Sequence, residues 1–259
     1  MNICLFSPEE ILQPLSLSDE RGQHIIKILH KKEGESFAAG ITGGKAGTAI
    51  IKKIEGDCKN GGKLYFDFSP ESDGKLLTPL KMIIGFPRPI QLKRLLRDIA
   101  GLGVCQVHLT GTELGEKSYM QSTLVEKGNA YKMLLDGTVQ AGSTHVPELF
   151  LHQTLSQCLE KVLEDSASPA ALDSSCVLAA LDNKKPVKSL GRLMADGENH
   201  SGKRSVIAAI GSERGWTDRE RELLTSKGFT LCSMGERILR TESAATVAAS
   251  IILANLGII

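Results

Sequence analysis

The sequence predicts an α/β protein in two domains: a small β-barrel first, then a mostly parallel sheet with helices packed on it. Three observations carry this. From Leu76 onward, short apolar runs alternate with stretches of helical period, the pattern of strands joined by crossover helices. Before that point, short apolar pieces are broken by Gly40, Gly43, Gly44 and Gly47, as in small barrels. Between the two, Ser69-Pro70-Glu71-Ser72-Asp73-Gly74-Lys75 is polar and turn-rich and reads as a linker. The predicted domains are residues 1–73 and 74–259.

In chain order, Ser18-Asp19-Glu20-Arg21 resembles a helix cap, and Ile25, Ile28 and Leu29 give an apolar stripe behind it. Strands are predicted at Ser36 to Ala39, Thr48 to Ile54 and Lys63 to Phe68, with a turn at Asn60-Gly61-Gly62. Lys81 to Phe86 reads as a buried strand. Gln91 to Leu102 puts Leu92, Leu95, Leu96, Ile99 and Leu102 on one helical face, with Lys93, Arg94, Arg97 and Asp98 opposite. Val104 to Thr110 is the next strand, and a helix runs from about Thr123 to Gly142. Further strands are Glu148 to His152, Cys176 to Leu181, Ser205 to Gly211 and Phe229 to Met234. Thr217-Asp218-Arg219-Glu220 is a capping box, and Gly228 sits where a left-handed C-terminal cap belongs. Ser243 to Leu256, rich in Ala and Ile, is a closing helix.

Composition narrows the function classes. With 41% hydrophobic and 24% charged residues, disorder, collagen and coiled coil are excluded. Thirty-one basic residues against 30 acidic ones exclude a polycation, though basic residues gather at His24 to Lys32, Arg88 to Arg97 and Arg214 to Arg240. Aromatics at 4% argue against gripping RNA mainly by base stacking. The first 22 residues lack a basic n-region and meet acids at Glu9 and Glu10, so they are not a signal peptide. No stretch is apolar enough to predict a membrane span. The six cysteines lie far apart with no CxxC pair and read as buried thiols of a cytoplasmic protein. In that compartment the sequon Asn199-His200-Ser201 carries no meaning.

Several catalytic signatures are tested and fail. Gly44-Lys45 lacks the upstream glycine of a P-loop, because position 39 is Ala39, and Ala46 replaces the Ser/Thr that would hold magnesium. Gly101-Leu102-Gly103 precedes a strand rather than following one, with Gln106 at the third glycine position. There is no GxSxG and no HExxH, and His24, His30, His108, His145, His152 and His200 show no ligand spacing, so no metal is predicted. What remains is a pair of strand ends. Ile207 to Gly211 runs into Ser212-Glu213-Arg214-Gly215, and Leu231 to Met234 runs into Gly235-Glu236-Arg237-Ile238-Leu239-Arg240-Thr241-Glu242. Both loops open with glycine and carry an acid and an arginine. Ligands of open α/β sheets sit at the carboxyl ends of strands, so the loops are expected to converge on one site. Ordinary surface turns, with Arg237 and Arg240 paired to Glu236 and Glu242, are the competing reading.

Ile210-Gly211-Ser212-Glu213-Arg214-Gly215-Trp216-Thr217 resembles an "IGPEGGFS" motif, and Met234 to Ala244 resembles "LGxRILRTETA". With this spacing the chain resembles the RsmE family of SPOUT-class methyltransferases, which methylate N(3) of a uridine in 16S ribosomal RNA. Weaker matches extend the likeness over nearly the whole chain: His24 to Leu29 with Glu33-Gly34-Glu35, Gly101 to Val104, and Gln140-Ala141-Gly142 with Val146-Pro147.

The resemblance implies a PUA-like RNA-binding barrel, a SPOUT domain with a trefoil knot, and a homodimer with its active site at the interface. It implies S-adenosyl-L-methionine as cofactor, held at Leu181, Gly211, Glu213, Gly215, Met234, Gly235, Ile238 and Leu239. For catalysis it points to Arg240, stabilising charge on the base, and Glu242, taking its proton. Lys27, Lys31, Arg214 and Arg237 are the expected RNA contacts, with 16S rRNA of the small ribosomal subunit as partner.

The chain departs from the family pattern at Ser212 and Arg214, where "PEGG" is expected, at Ser143 in place of an arginine, and at Ala100-Gly101-Leu102 in place of "TEL". The arginine that the family carries near the start of its first strand has no counterpart in Met1-Asn2-Ile3-Cys4-Leu5. Two other readings stay open: a SPOUT enzyme acting on another RNA position, and an RNA-binding or ribosome-assembly protein whose catalytic site has decayed.

Overall fold

Alternate burial sets the first sheet: Phe37, Ala39, Ala49 and Ile51 point inward while Ala38, Ile50 and Lys52 point out. The computed structural model describes residues 2–58, 61–120, 128–166, 176–196 and 204–259. Asn60, the sequon at 199–201 and the predicted start of the helix near 123 lie outside them. The chain divides into two compact units, Met1–Leu77 with Leu135–Val146, and Thr78–Leu134 with Pro147–Ile259.

The first unit holds β1 (Cys4–Phe6), β2 (Leu15–Ser16), α1 (Glu20–Gln23), β3 (Ser36–Ile41), β4 (Ala46–Glu55) and β5 (Lys63–Ser72). The sheet order is β1-β3-β4-β5-β2, with β1 parallel to β3 and the other pairs antiparallel. Where the sequence predicts a barrel, the described residues form an open sheet. Its edges, β1 and β2, are only three and two residues long and offer few ladder groups for closure. Part of the predicted linker is strand: β5 runs on through Ser72, pairing Ser69 with Thr48 and Pro70 with Gly47 at a register shift. A Cβ on Gly47 would lie 2.0 Å from the Ser69 carbonyl oxygen, so glycine permits this approach and the irregularity accommodates Pro70.

The early helix is shorter than its apolar stripe suggests. Asp19 caps α1, accepting from the Arg21 amide, and a single π turn, His24–Ile28, follows. The wider turn breaks the i, i+3, i+4 face, so Ile25 is buried while Ile28 and Leu29 are exposed. Ile25 joins Phe6, Phe37, Ile51 and Leu64 in this unit's core. The segment Leu135–Val146 belongs to the same unit through polar links. Thr144 Oγ1 donates to the Gly44 carbonyl (2.6 Å), the Gly43 amide donates to the Thr144 carbonyl (2.7 Å), and Ser143 Oγ donates to the Lys75 carbonyl (2.8 Å).

The second unit contains β6 (Thr78–Gly85), α2 (Pro89–Gly101), β7 (Val104–Thr110), α3 (Lys117–Met120), the start of α4 (Asn129–Ala141), β8 (Glu148–His152) and α5 (Leu155–Ser166). It continues with β9 (Val177–Leu181), β10 (Lys188–Ser189), α6 (Leu190–Ala195), β11 (Val206–Ile210), α7 (Asp218–Ser226), β12 (Thr230–Ser233) and α8 (Thr241–Asn255). The sheet order is β10-β12-β9-β11-β6-β7-β8, and every pair is parallel. The predicted strands at Val104 to Thr110 and Glu148 to His152 are observed with those ends; β10 is an addition too short to carry a period. All five residues of β11 are buried, as an apolar run covered on both faces requires. Ile83, Ala180, Ile207 and Ala209 pack with Leu159 and Val162 of α5 and Leu224 of α7, while α8 packs on β6, β11, α2 and α6. Among the described residues, no helix is long and apolar enough to cross a membrane.

Two polar devices hold the loops after these strands. Thr217 Oγ1 accepts from the Glu220 amide (3.1 Å) and Glu220 Oε2 accepts from the Thr217 amide (2.9 Å), the capping box that the sequence predicts. Gly228 takes φ +88°, the left-handed C-terminal cap. Asp182, just past β9, receives Arg221 Nε at 2.6 Å and Nη2 at 3.2 Å, in a pair whose side chains are 1% and 6% exposed. Burial works against the Asp182 carboxylate, but Arg221 and the amides of Lys184 and Lys185 outweigh it and hold its pKa below the usual value.

Thr217→Ala removes one reciprocal cap bond and is expected to lower stability by about 1 kcal/mol, read from urea unfolding midpoints. Because the folded-state pKa of Asp182 is depressed, its contribution is present above the unfolded value of 3.8 and is lost as pH falls through the folded value. Asp182→Asn should therefore flatten the decline of unfolding free energy below pH 4 relative to wild type. An unchanged slope would show that other carboxylates dominate it.

Candidate functional site

Because β9, β11 and β12 run parallel and adjacent, their last residues, Leu181, Ile210 and Ser233, release three loops at one edge of the sheet. The loops enclose a cavity of about 240 Å³. Leu181, Gly211, Glu213, Gly215, Met234, Gly235, Ile238 and Leu239 all line it, as do Asp182, Ser212, Thr241 and Ala244. Thr241 and Ala244 share one face of the first turn of α8; their i, i+3 spacing is the sequence signal by which they could have been found.

The first loop is tight. The Gly215 amide donates to the Ser212 carbonyl at 2.8 Å, and Gly215 takes φ +73°. A Cβ on Gly211 would stand 2.9 Å from the Gly215 carbonyl carbon, so the two backbone segments approach only because residue 211 is glycine. Directly after the loop, Trp216 is 1% exposed, and its Nε1 donates to the Leu181 carbonyl at 3.0 Å. Glu213 is held from outside by Arg88 Nε at 3.1 Å, at the entrance to α2. The Ser212 hydroxyl is buried without a hydrogen-bond partner among the described residues and belongs to a residue that lines the cavity. Buried polar atoms are normally satisfied, so this one has spare capacity for a ligand. The sequence marked Ser212 only as a departure from the family motif, which has proline there, and gave its hydroxyl no role.

The second loop is open. Gly235 takes φ +108°, and residues 235–240 are exposed, Ile238 at 81%. Arg214 and Arg237 are exposed and line the cavity mouth. Arg240, the residue before α8, is exposed, and Glu242, in that helix's first turn, is 8% exposed. Neither lines the cavity as formed by the described residues of this chain. Lys27 and Lys31 belong to the first unit. Lys27 donates to Gln23 Oε1 at 3.2 Å on the π turn, and Lys31 is half-buried just after it. The site thus offers backbone groups, one unsatisfied hydroxyl, an apolar floor and cations at its mouth. Such a lining suits a nucleoside-like ligand held largely by main chain.

The family model for the RNA methyltransferase domain matches residues 75–253. Ribosomal RNA small subunit methyltransferase E of Treponema pallidum (strain Nichols) is 38% identical over 262 residues, covering 98% of this chain and 91% of that protein. Ribosomal RNA small subunit methyltransferase E 1 of Borreliella burgdorferi is 28% identical over 256 residues, covering 98% of both chains. Among solved structures, the S-adenosyl methionine-bound ribosomal RNA small subunit methyltransferase E of Neisseria gonorrhoeae aligns with a TM-score of 0.70 at 18% identity, covering 98% of this chain and 97% of that one. A probable rRNA-methyltransferase of Porphyromonas gingivalis aligns with a TM-score of 0.73 at 17% identity, covering 99% of each. At such identities the structures speak for the fold, while the sequence relatives and the domain match speak for descent: this chain belongs to the RsmE family of ribosomal RNA small subunit methyltransferases.

Proposed function

We propose that the protein methylates N(3) of a uridine in 16S rRNA of the small ribosomal subunit, with S-adenosyl-L-methionine as methyl donor. The observation that carries this reading is the cavity in which the two motif loops meet, lined by all eight residues expected to hold the cofactor. The cofactor fits what the chain provides: close-approaching glycine backbone at Gly211 and Gly215, and the unsatisfied Ser212 hydroxyl. When bound, S-adenosylmethionine supplies a methyl carbon activated by a positively charged sulfur.

The chain's own groups do the rest. Main-chain atoms of the loops at Leu181, Gly211 to Gly215 and Met234 to Leu239 orient the adenosine. Thr241 and Ala244 form the floor that fixes its depth. Uracil N(3) would lose its proton to a Glu242 carboxylate oxygen as it takes the methyl group, and the electron pair of the broken methyl–sulfur bond would stay on the sulfur, leaving a neutral thioether. Arg240 stabilises the negative charge that develops on the flanking uracil oxygens. Both lie outside the cavity lining, so the reading needs the target base, and a second copy of the chain, to complete the site.

The exposed apolar groups Ile238, Leu239 and Val247 are the proposed homodimer contact. Lys27, Lys31, Arg214 and Arg237 meet phosphates, and the five-stranded first unit serves as a PUA-like RNA reader. The second unit is read as a SPOUT domain whose chain threads a trefoil knot, and the protein is placed in the cytoplasm.

Calorimetric titration should show one cofactor per chain, and Gly211→Ala should weaken it at least about tenfold, because the added methyl closes the approach to Gly215. Arg240→Ala should lower turnover on the order of 100-fold while leaving cofactor affinity within about twofold. Equal loss of both would make Arg240 a pocket-shaping residue instead. Ribosomal RNA from a deletion strain should lack one N(3)-methyluridine by mass spectrometry; unchanged content would reject the substrate. A monomeric mass in sedimentation equilibrium would reject the dimer.

A further inference from the structure

The sheet brings together three side chains that sequence spacing kept apart. His108 lies in β7, His152 ends β8, and Cys158 lies in the first half of α5. One ligand atom from each, a ring nitrogen from the histidines and the sulfur from the cysteine, lies within 4.8 Å of the other two. His108 and Cys158 are fully buried, and His152 is half-buried on the edge strand. The two imidazoles are hydrogen-bonded to each other, His108 Nδ1 to His152 Nε2 at 3.1 Å. Four-coordinate zinc with N ligands at about 2.1 Å and S at about 2.3 Å needs neighbouring ligand atoms roughly 3.4–3.6 Å apart. The nitrogen pair is already close to that spacing, and the sulfur, whose present partner is the Thr110 side chain, lies within 4.8 Å of both.

The surroundings support the same reading. The far nitrogen of His108, Nε2, meets Gln106 Oε1 at 3.4 Å, and Gln106 Nε2 donates to Glu148 Oε2 at 2.8 Å. A metal-bound histidine ordinarily donates its other N–H to such an acceptor, which fixes its tautomer and aims the free lone pair at the ion. Here that tautomer leaves Nδ1 as the acceptor of the His152 Nε2–H, the bond a cation would replace. Phe150 stacks on the His108 ring at 4.6 Å and fixes its plane.

We propose that His108 Nδ1, His152 Nε2 and Cys158 Sγ form a binding site for a borderline d10 cation, Zn2+, with water in the fourth position. The donor set of two imidazoles and one thiolate matches that ion, and the half-buried His152 gives it a way in. On binding, the hydrogen bond between the two imidazoles breaks, His152 carries its proton on Nδ1 instead of Nε2, the Cys158 proton leaves to solvent, and both nitrogens and the sulfur bond the metal. The ion would tie α5 to the outer strands β7 and β8, a structural staple independent of the methyl-transfer reading. Lys161 faces His152 and opposes the added charge, and Glu148, reached through Gln106, offsets it.

The test uses the full chain, stripped with chelator and titrated with Co2+ as a spectroscopic substitute. The expected result is one equivalent giving a thiolate-to-cobalt charge-transfer band and visible bands of tetrahedral strength, displaced by Zn2+. Cys158→Ala should abolish the sulfur band, and His152→Ala, on the half-exposed edge, should weaken binding while the fold is retained by circular dichroism. Gln106→Ala should cost roughly 10–100-fold in affinity. Zn2+ should also raise the melting temperature of the wild type and not of His152→Ala. Absence of the sulfur band in the wild type, or its persistence in Cys158→Ala, would overturn the proposal.

Discussion

The hydrogen bond from the Trp216 indole to the Leu181 carbonyl joins the end of β9 to the loop that leaves β11. Most of the site depends on that join. A buried carbonyl at a strand end must find a donor, and a buried indole N–H must find an acceptor; each satisfies the other. The loop between Gly211 and Gly215 is thereby drawn over the strand ends. Asp182, the next residue after Leu181, is clamped by Arg221 from α7, and Thr217 begins the cap of that same helix. One short run of sequence, from Gly211 to Arg221, therefore closes the cavity wall and anchors it to the core.

The two loops differ in what holds them, and the difference fits a division of labour. The first is locked by Trp216, by the Ser212–Gly215 backbone pair and by Arg88 on Glu213. The second, residues 235–240, is exposed throughout. A rigid wall suits a small ligand that must be positioned, whereas an exposed rim with Arg237 and Arg240 suits a large anionic partner arriving from solvent. The departures from the family motif respect this division. Arg214, which replaces the first glycine of "PEGG", projects at the mouth and leaves Gly211 and Gly215 in place, and Ser212 places a hydroxyl where the motif has a ring.

Elements with a sustained period were legible in the sequence. Strand Val104–Thr110, the helix around Leu92 to Ile99 and the capping box at Thr217 follow from residue order, because local sterics and burial on one or two faces decide them. Elements without a period were not. Two-residue β2 and β10 carry no pattern, and the π turn at His24–Ile28 shifted a helical face by a residue. Ser69 to Ser72 looked like a linker because polar residues and proline are tolerated at the end of a bulged strand.

By itself the sequence determined the parallel α/β plan, the two glycine-led loops and the family they resemble, since each rests on residues adjacent in the chain. Only the tertiary structure decided which distant residues meet. It assigned Leu135–Val146 to the first unit through Thr144 and Ser143, whose hydroxyls find main-chain carbonyls near Gly44 and Lys75. It placed Trp216 on Leu181 and Arg221 on Asp182, and it gathered His108, His152 and Cys158 from three elements. For the contacts of the second unit the physical reason is shared: parallel strands are paired across long connections, so neighbours in the sheet are far apart in the chain.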